Sequence, residues 1–126
     1  MVGCFYAVYN ELGPGHKEQI YHKALTLELK SKGISFNDKK RLKVKYKGQE
    51  IGIYEPDFII EDKIIVEIKS LLQMPNVFEK QLYYYLRGTE YKLGYLVNFG
   101  TERLDIRRRV YDTARVNSRE LAFDLR

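Results

Sequence analysis

Residues 54–69 read Tyr54-Glu55-Pro56-Asp57-Phe58-Ile59-Ile60-Glu61-Asp62-Lys63-Ile64-Ile65-Val66-Glu67-Ile68-Lys69. Two apolar runs, Phe58 to Ile60 and Ile64 to Ile68, flank the polar Glu61-Asp62-Lys63. Both runs are rich in β-branched residues, and so short a charged break between them predicts a β-hairpin. With the loop centred on Asp62, Asp57 falls directly across from Glu67. Side chains two apart on a strand share a face, so Lys69 joins the two acids. Opposed carboxylates with Cβ atoms about 5 Å apart repel and weaken a hairpin. Two readings follow. Either a divalent cation sits between the acids and removes that cost, or the three charges form a solvent-facing stripe in which Lys69 offsets one acid. The second run is nearly continuous apolar, which predicts a strand central in its sheet.

Outward from the hairpin, Arg41 to Tyr46 alternates as a half-buried strand with a basic outer face. Lys47 to Glu50 reads as a turn, the central hairpin as running from about Ile51 to Ser70, and Ile34 to Lys40 as a connector. Further upstream, Phe5 to Leu12 predicts a short helix stopped by Gly13. A longer helix is expected to begin at Pro14 or Gly15 and run to about Lys32, with Gly33 as its stop. Ile20, Tyr21, Ala24, Leu25, Leu27 and Leu29 give it a broad apolar face. Glu18, Tyr21 and Leu25 share one stripe, which aims Glu18 inward; the alternative is a first-turn acid that favours the helix dipole.

Downstream, a helix is expected with Pro75 at its first position and Gly88 just past its end. Phe78, Leu82, Tyr85 and Leu86 form its packed face, and Gln81 and Tyr85, four apart, are neighbours. Tyr83, Tyr84 and Tyr85 cannot all be buried. One should be partly exposed, either to stack on a base or simply packed with a wet hydroxyl. Tyr91 to Phe99 predicts a buried strand interrupted at Gly94. Leu104 to Val110 predicts a last strand whose Arg107, Arg108 and Arg109 are either a solvated edge or a grip on phosphates. Tyr111 to Arg126 has helical spacing and forms a C-terminal extension. The order α-α-β-β-β-α-β-β implies an α/β sandwich with a mixed central sheet of about five strands, covered by two helices, with the site at one edge.

The 126 residues suit one domain, 1–126. Net charge of +5 and a pI near 9.2 favour an anionic partner, nucleic acid first. No apolar run is long enough to span a membrane, and Met1-Val2-Gly3-Cys4 lacks the layout of a signal peptide. A single cysteine cannot form an internal disulfide, which fits a reducing cytoplasm, and it excludes a four-cysteine iron–sulfur cluster. There is no glycine-rich phosphate loop and no Cys–His zinc set. Ser31, Ser35, Ser70 and Ser118 lack a nucleophile's setting. His16 and His22 are six apart, not the i, i+4 spacing of helical metal ligands.

Pro56-Asp57 followed by Glu67-Ile68-Lys69 resembles the signature of the PD-(D/E)xK nuclease superfamily. Gly15-His16-Lys17-Glu18-Gln19-Ile20-Tyr21 resembles the G-x-x-E-x-x-Y motif of one bacterial and archaeal family within it. Gln81-Leu82-Tyr83-Tyr84-Tyr85 resembles the Q-x-x-x-Y motif of RecB-like nuclease domains, and Leu93 to Gly100 is similar to the closing strand. The motifs occur in order and cover roughly residues 8 to 110. The resemblance implies a restriction-endonuclease-like fold and a metal-dependent nuclease acting on DNA. Mg²⁺ or Mn²⁺ would be held by Asp57, Glu67, the Ile68 carbonyl and Glu18. Lys69 would act as a fixed positive charge on the phosphate and a donor to the attacking water. Gln81 and Tyr85 would orient those groups, and Tyr21, Lys69, Tyr84, Arg107 and Arg108 would contact nucleic acid. Two readings stand beside this one: a non-cleaving nucleic-acid-binding subunit of the same fold, and an RNA nuclease using the same site. A homodimer is expected if both strands of a duplex are cut, because one site cuts one strand.

Overall fold

Phe58 pairs with Val66, Ile59 with Ile65 and Ile60 with Ile64, the register implied by a loop centred on Asp62. Glu61 and Asp62 turn the chain at φ of 53° and 54°. The computed structural model describes residues 1–112. In chain order its elements are α1 (Val2–Leu12), α2 (Glu18–Ser31), β1 (Phe36–Asp38), β2 (Leu42–Tyr46), β3 (Gln49–Tyr54), β4 (Phe58–Ile60), β5 (Ile64–Lys69), α3 (Asn76–Gly88), β6 (Leu93–Asn98) and β7 (Asp105–Val110). A five-stranded sheet runs β1-β4-β5-β6-β7, with the apolar β5 at its centre, and β2 and β3 form a separate two-stranded sheet. All pairings are antiparallel except β5 with β6. A parallel pair needs a long crossover, and α3 supplies it.

Alternation along the strands sorts the core into two layers. Phe58, Ile60, Val66 and Ile68 face α1 and α2, where they meet Phe5, Val8, Tyr21, Leu25 and Leu29. Ile59, Ile65 and Leu96 face the other way, onto Leu82 and Leu86 of α3 and onto Tyr54, Leu42 and Val44 of the β2–β3 hairpin. Each fully buried aliphatic side chain of β5 contributes about 1.5–3 kcal/mol. The sheet is thus a mixed five-stranded α/β sheet flanked by helices, as expected, though among the described residues three helices rather than two cover it.

The sequence reading departs from the structure at several places, each with a local cause. The segment read as a connector contains β1, which supplies the fifth strand by pairing Phe36, Asn37 and Asp38 with Ile60, Ile59 and Phe58. Gln49 to Tyr54 is a strand of its own, joined to β2 rather than to the central hairpin. The longer helix starts at Glu18, not at Pro14 or Gly15. Gly15 at φ 94° and the bond from the Tyr21 hydroxyl to the Gly13 carbonyl hold residues 14–17 as a loop. Its buried face is narrower than expected: Tyr21, Leu25 and Leu29 are buried, while Ile20 and Leu27 are exposed. The first helix starts at Val2, three residues earlier than expected. The helical spacing over Tyr111 to Arg126 falls, beyond Asp112, outside the described residues. No helix among the described residues is long and apolar enough to cross a membrane.

Candidate active site

The acids meet at the C-terminal end of β5. Pro56 lacks an N–H and ends the ladder there, so Asp57 stands just outside β4 and its carboxylate turns inward. Asp57 Oδ2 accepts a hydrogen bond from the backbone N–H of Ile68, at 2.8 Å. Glu67 and Lys69 alternate onto the α3 face. Glu67 Oε1 accepts the hydroxyl of Tyr54, at 2.6 Å, and Tyr54 stacks flat on Tyr85 of α3 at 3.5 Å between ring centres. Lys69 Nζ lies 4.1 Å from the centre of the Phe78 ring, a cation–π contact that helps fix its position.

Two pockets open on either side of this strand end. One, of about 370 Å³, is lined by Glu18, Gln19, His22, Lys23, Lys39, Asp57 and Ile68. The other, of about 140 Å³, is lined by Glu67, Lys69, Gln81 and Tyr85 with Tyr54, Phe78, Leu82 and Leu96. The expected single face of Asp57, Glu67 and Lys69 is therefore split. The β4–β5 ladder ends at Phe58 and Val66, so Asp57 does not pair across from Glu67 but turns to the Glu18 side. Glu67, Lys69, Gln81 and Tyr85 gather on the other, and the Asp57–Ile68 hydrogen bond joins the two sides. The two halves act on each other electrostatically. Burial, and then the neighbouring Asp57 charge, push the Glu67 carboxyl up to about 7, against the Tyr54 bond and Lys69, which favour its charged form. Partial desolvation also raises Glu18, with Lys69 opposing and Asp57 adding to the shift. Glu18 itself remains exposed, so the stripe with Tyr21 does not bury it; it stands on the rim of the larger pocket.

The residues expected to touch nucleic acid divide. Tyr84 is 62% exposed and Arg108 is exposed. Arg107 is tied to Asp105, at 3.0 Å, and lies 4.0 Å from Glu79; Arg109 also pairs with Glu79. Tyr21 is fully buried. Its hydroxyl donates to the Gly13 carbonyl and accepts the His16 N–H at 3.1 Å, while its ring stacks on Phe99 at 4.5 Å. It thus anchors the loop that delivers Glu18, and this burial keeps it from direct contact with a ligand.

Three residues of the site carry no role in the sequence reading. His22 stacks on Phe58, with Nε2 2.6 Å from Asp38 Oδ1 and Nδ1 3.7 Å from Asp57 Oδ1. The usable spacing was Glu18–His22, four apart and lining one pocket, rather than His16–His22. Tyr54 left no local signal, because its partner Glu67 is thirteen positions away. Asn98 is fully buried and closes the strand ends. Its Oδ1 accepts the N–H groups of Leu71 and Gly100, and its Nδ2 donates to the Leu71 carbonyl.

The donor set suits a hard divalent cation. Two carboxylates stand at one strand end, where burial and the Asp57 charge raise the cost of charging Glu67, and oxygen ligands are what such an ion prefers. Among the described residues no three His, Cys, Asp or Glu side chains are gathered closely enough to hold an ion by themselves. The fitting set is Asp57 and Glu67 with a backbone carbonyl, completed by water or substrate oxygen.

The profile of a family described as the PD-(D/E)XK nuclease superfamily matches residues 1–110. Among solved structures the chain is similar to the crystal structure of SSO0001, at 23% identity and a TM-score of 0.55, over 84% of this chain and 55% of that one. At that identity the likeness shows the fold alone. It is also similar to an alkaline exonuclease, LHK-Exo, from Laribacter hongkongensis, at 12% identity and a TM-score of 0.43, over 76% of this chain and 57% of that one, too distant a likeness to inform the chemistry. The chain spans a little over half the length of each. No curated protein matches it.

Proposed function

Since the chain belongs to the PD-(D/E)XK nuclease superfamily, we propose that it hydrolyses phosphodiester bonds in DNA with the help of Mg²⁺ or Mn²⁺. The observation that carries this reading is that Asp57 stands at the same strand end as Glu67 and Lys69, across the Ile68 backbone, with the Glu67 carboxyl pushed up by burial and then by the Asp57 charge. A cation between the acids would relieve that repulsion. Asp57, Glu67, the Ile68 carbonyl and Glu18 are the groups that would hold it. When bound, such an ion activates water and neutralises charge on the phosphate.

The chain's own residues do the rest. Lys69, braced by Phe78, places a positive charge and hydrogen-bond donors where a phosphate oxygen enters. Tyr54, held flat against Tyr85, fixes the rotamer of Glu67. Gln81 reaches the same small pocket from α3 and is placed to orient Lys69 or the phosphate. The finer membership, in the G-x-x-E-x-x-Y family, is supported by the work its residues do here: Gly15 turns the loop, Tyr21 anchors it, and Glu18 stands on the rim of the pocket.

The test is incubation of the purified protein with supercoiled, linear and single-stranded DNA and with RNA, in Mg²⁺, Mn²⁺ or EDTA. DNA cleavage that requires the metal and vanishes in Asp57→Ala is expected. RNA cleavage alone would move the substrate class. Metal-independent binding without cleavage of either polymer would replace the enzyme by a binding subunit.

A further inference from the structure

The chain has 22 Lys and Arg against 17 Asp and Glu. Six of those cations, Lys39, Lys40, Arg41, Lys43, Lys45 and Lys47, fall within residues 39–50, together with one acid, Glu50. The rest of the chain therefore has sixteen of each sign and is neutral. The whole excess of +5 sits on the β2–β3 hairpin and the segment leading into it.

All six cations are exposed. The alternation of β2 explains why: Leu42 and Val44 turn to the α3-side core, which leaves Lys43 and Lys45 on the outer face. Among the described residues only Lys43 of the six is in an ion pair, with Glu50 at 3.7 Å; at that exposure the pair does little to cancel its charge toward a ligand. Apolar surface is interleaved with the lysines. Tyr46 is 60% exposed, Ile51 65% and Ile53 50%, and Lys47 lies over the Tyr46 ring. A ring among cations suits packing on a base or sugar beside a gripped phosphate.

The hairpin is rooted in the acids at both ends. Leading into it, the N–H of Lys39 donates to the carbonyl of Asp57 at 3.2 Å, and Lys39 lines the Glu18–Asp57 pocket. At its far end the Tyr54 hydroxyl donates to Glu67. A polyanion lying along the outer face would thus reach the strand end where Asp57 and Glu67 meet.

We propose that the β2–β3 hairpin, with Lys39 to Arg41, is the arm that grips the phosphate backbone of a nucleic acid and leads it to the acids, an assignment that rests on the nuclease reading above. The test uses the triple variant Lys40→Gln/Lys45→Gln/Lys47→Gln, a triple Lys→Arg counterpart at the same positions, and a control, Lys30→Gln/Lys32→Gln, at the end of α2. Anisotropy of a labelled DNA duplex in EDTA gives affinity against salt. Losing three phosphate contacts should lower the slope of log affinity against log salt by about 2.7 and weaken binding tenfold or more. The arginine triple and the control should keep the wild-type slope. In Mg²⁺ the glutamine triple should raise KM and leave kcat unchanged. Equal binding by the wild type and the glutamine triple, or an equal loss in the control, overturns the arm even if the wild type cleaves. Arm-dependent binding by a protein that never cleaves leaves the arm standing and removes the enzyme. A wild type that ignores DNA and RNA but binds vesicles containing phosphatidylserine overturns both.

Discussion

Glu67 is held in a setting that resists its charge, and this makes a prediction with a definite sign. Its carboxyl is raised from 4.5 to about 7. Below about pH 4.5 it is protonated in both the folded and the unfolded chain and contributes nothing to the pH dependence. As pH rises from 4.5 to 7 the unfolded chain releases the proton first, so the folded state loses about 3 kcal/mol; above 7 the penalty is constant. Urea melts in EDTA should therefore show wild type losing about that much between pH 5 and pH 8 relative to Glu67→Gln, which keeps an acceptor for Tyr54. Mn²⁺ at a hundred times its dissociation constant should return about 2.7 kcal/mol. Parallel pH profiles for the two proteins would show that Glu67 is not so perturbed. Glu18 gives the opposite pattern. It is exposed, so Glu18→Gln should change stability by no more than about 0.5 kcal/mol, yet cut the cleavage rate tenfold or more if the carboxylate serves the pocket. Wild-type cleavage by that variant would reduce Glu18 to a dipole-favouring surface acid. The order of the acids along the chain was legible from their spacing. The inward direction of Tyr21 was legible too, from the same stripe. Its partners Phe99 and Gly13, which keep it from nucleic acid, were not, because an i, i+3 stripe gives a direction around the helix without naming the neighbour it meets.

At the scale of elements, the site depends on how β5 is locked to β6 just beyond Lys69. Phe99 N–H donates to the Lys69 carbonyl at 2.8 Å, and Asn98 binds Leu71 and Gly100 as described. A Cβ on Gly100 would lie 2.3 Å from the Leu71 nitrogen. Backbone cannot yield there, so Gly100→Ala should cost at least about 3 kcal/mol. At Gly94 the nearest atom is the Leu82 Cδ1, at 2.9 Å, a flexible side chain, so Gly94→Ala should cost only about 1 kcal/mol. Asn98→Ala strands three backbone groups and should cost about 2–3 kcal/mol. Denaturant melts rank the three, and Gly94→Ala as the worst would contradict the geometry. The sequence points to Gly94, because it interrupts an apolar run. Gly100 carries no comparable signal, since its constraint comes from a backbone 29 residues earlier. The short β1 escapes notice for a related reason: Phe36-Asn37-Asp38 has no strand pattern, and only its partner β4 makes it one.

For the whole molecule, the central hairpin, its register and the central place of β5 were all readable from residues 54–69, because a half-buried or buried strand leaves period and composition in the sequence. The separate β2–β3 sheet was not, since alternation shows a strand without naming its partner. The mixed sheet also bears on how the molecule assembles. β2 with β3 and β4 with β5 are joined by turns of two or three residues, which close within microseconds. The parallel union of β5 with β6 must wait for a crossover through α3 and should form late. We expect φ-values near zero at Val97 and Asn98 and larger ones at Ile59 and Ile65; the reverse order would refute this sequence of events. Until β6 arrives, Ile64 to Ile68 presents an unpaired, almost wholly apolar edge, the kind of segment that recruits a second chain. The same run that gives the finished sheet its centre is therefore the stretch through which nascent or refolding chains should aggregate, and Gly100→Ala, by weakening that closure so that β5 reopens more often, should raise light scattering on refolding even under conditions where its native state still forms.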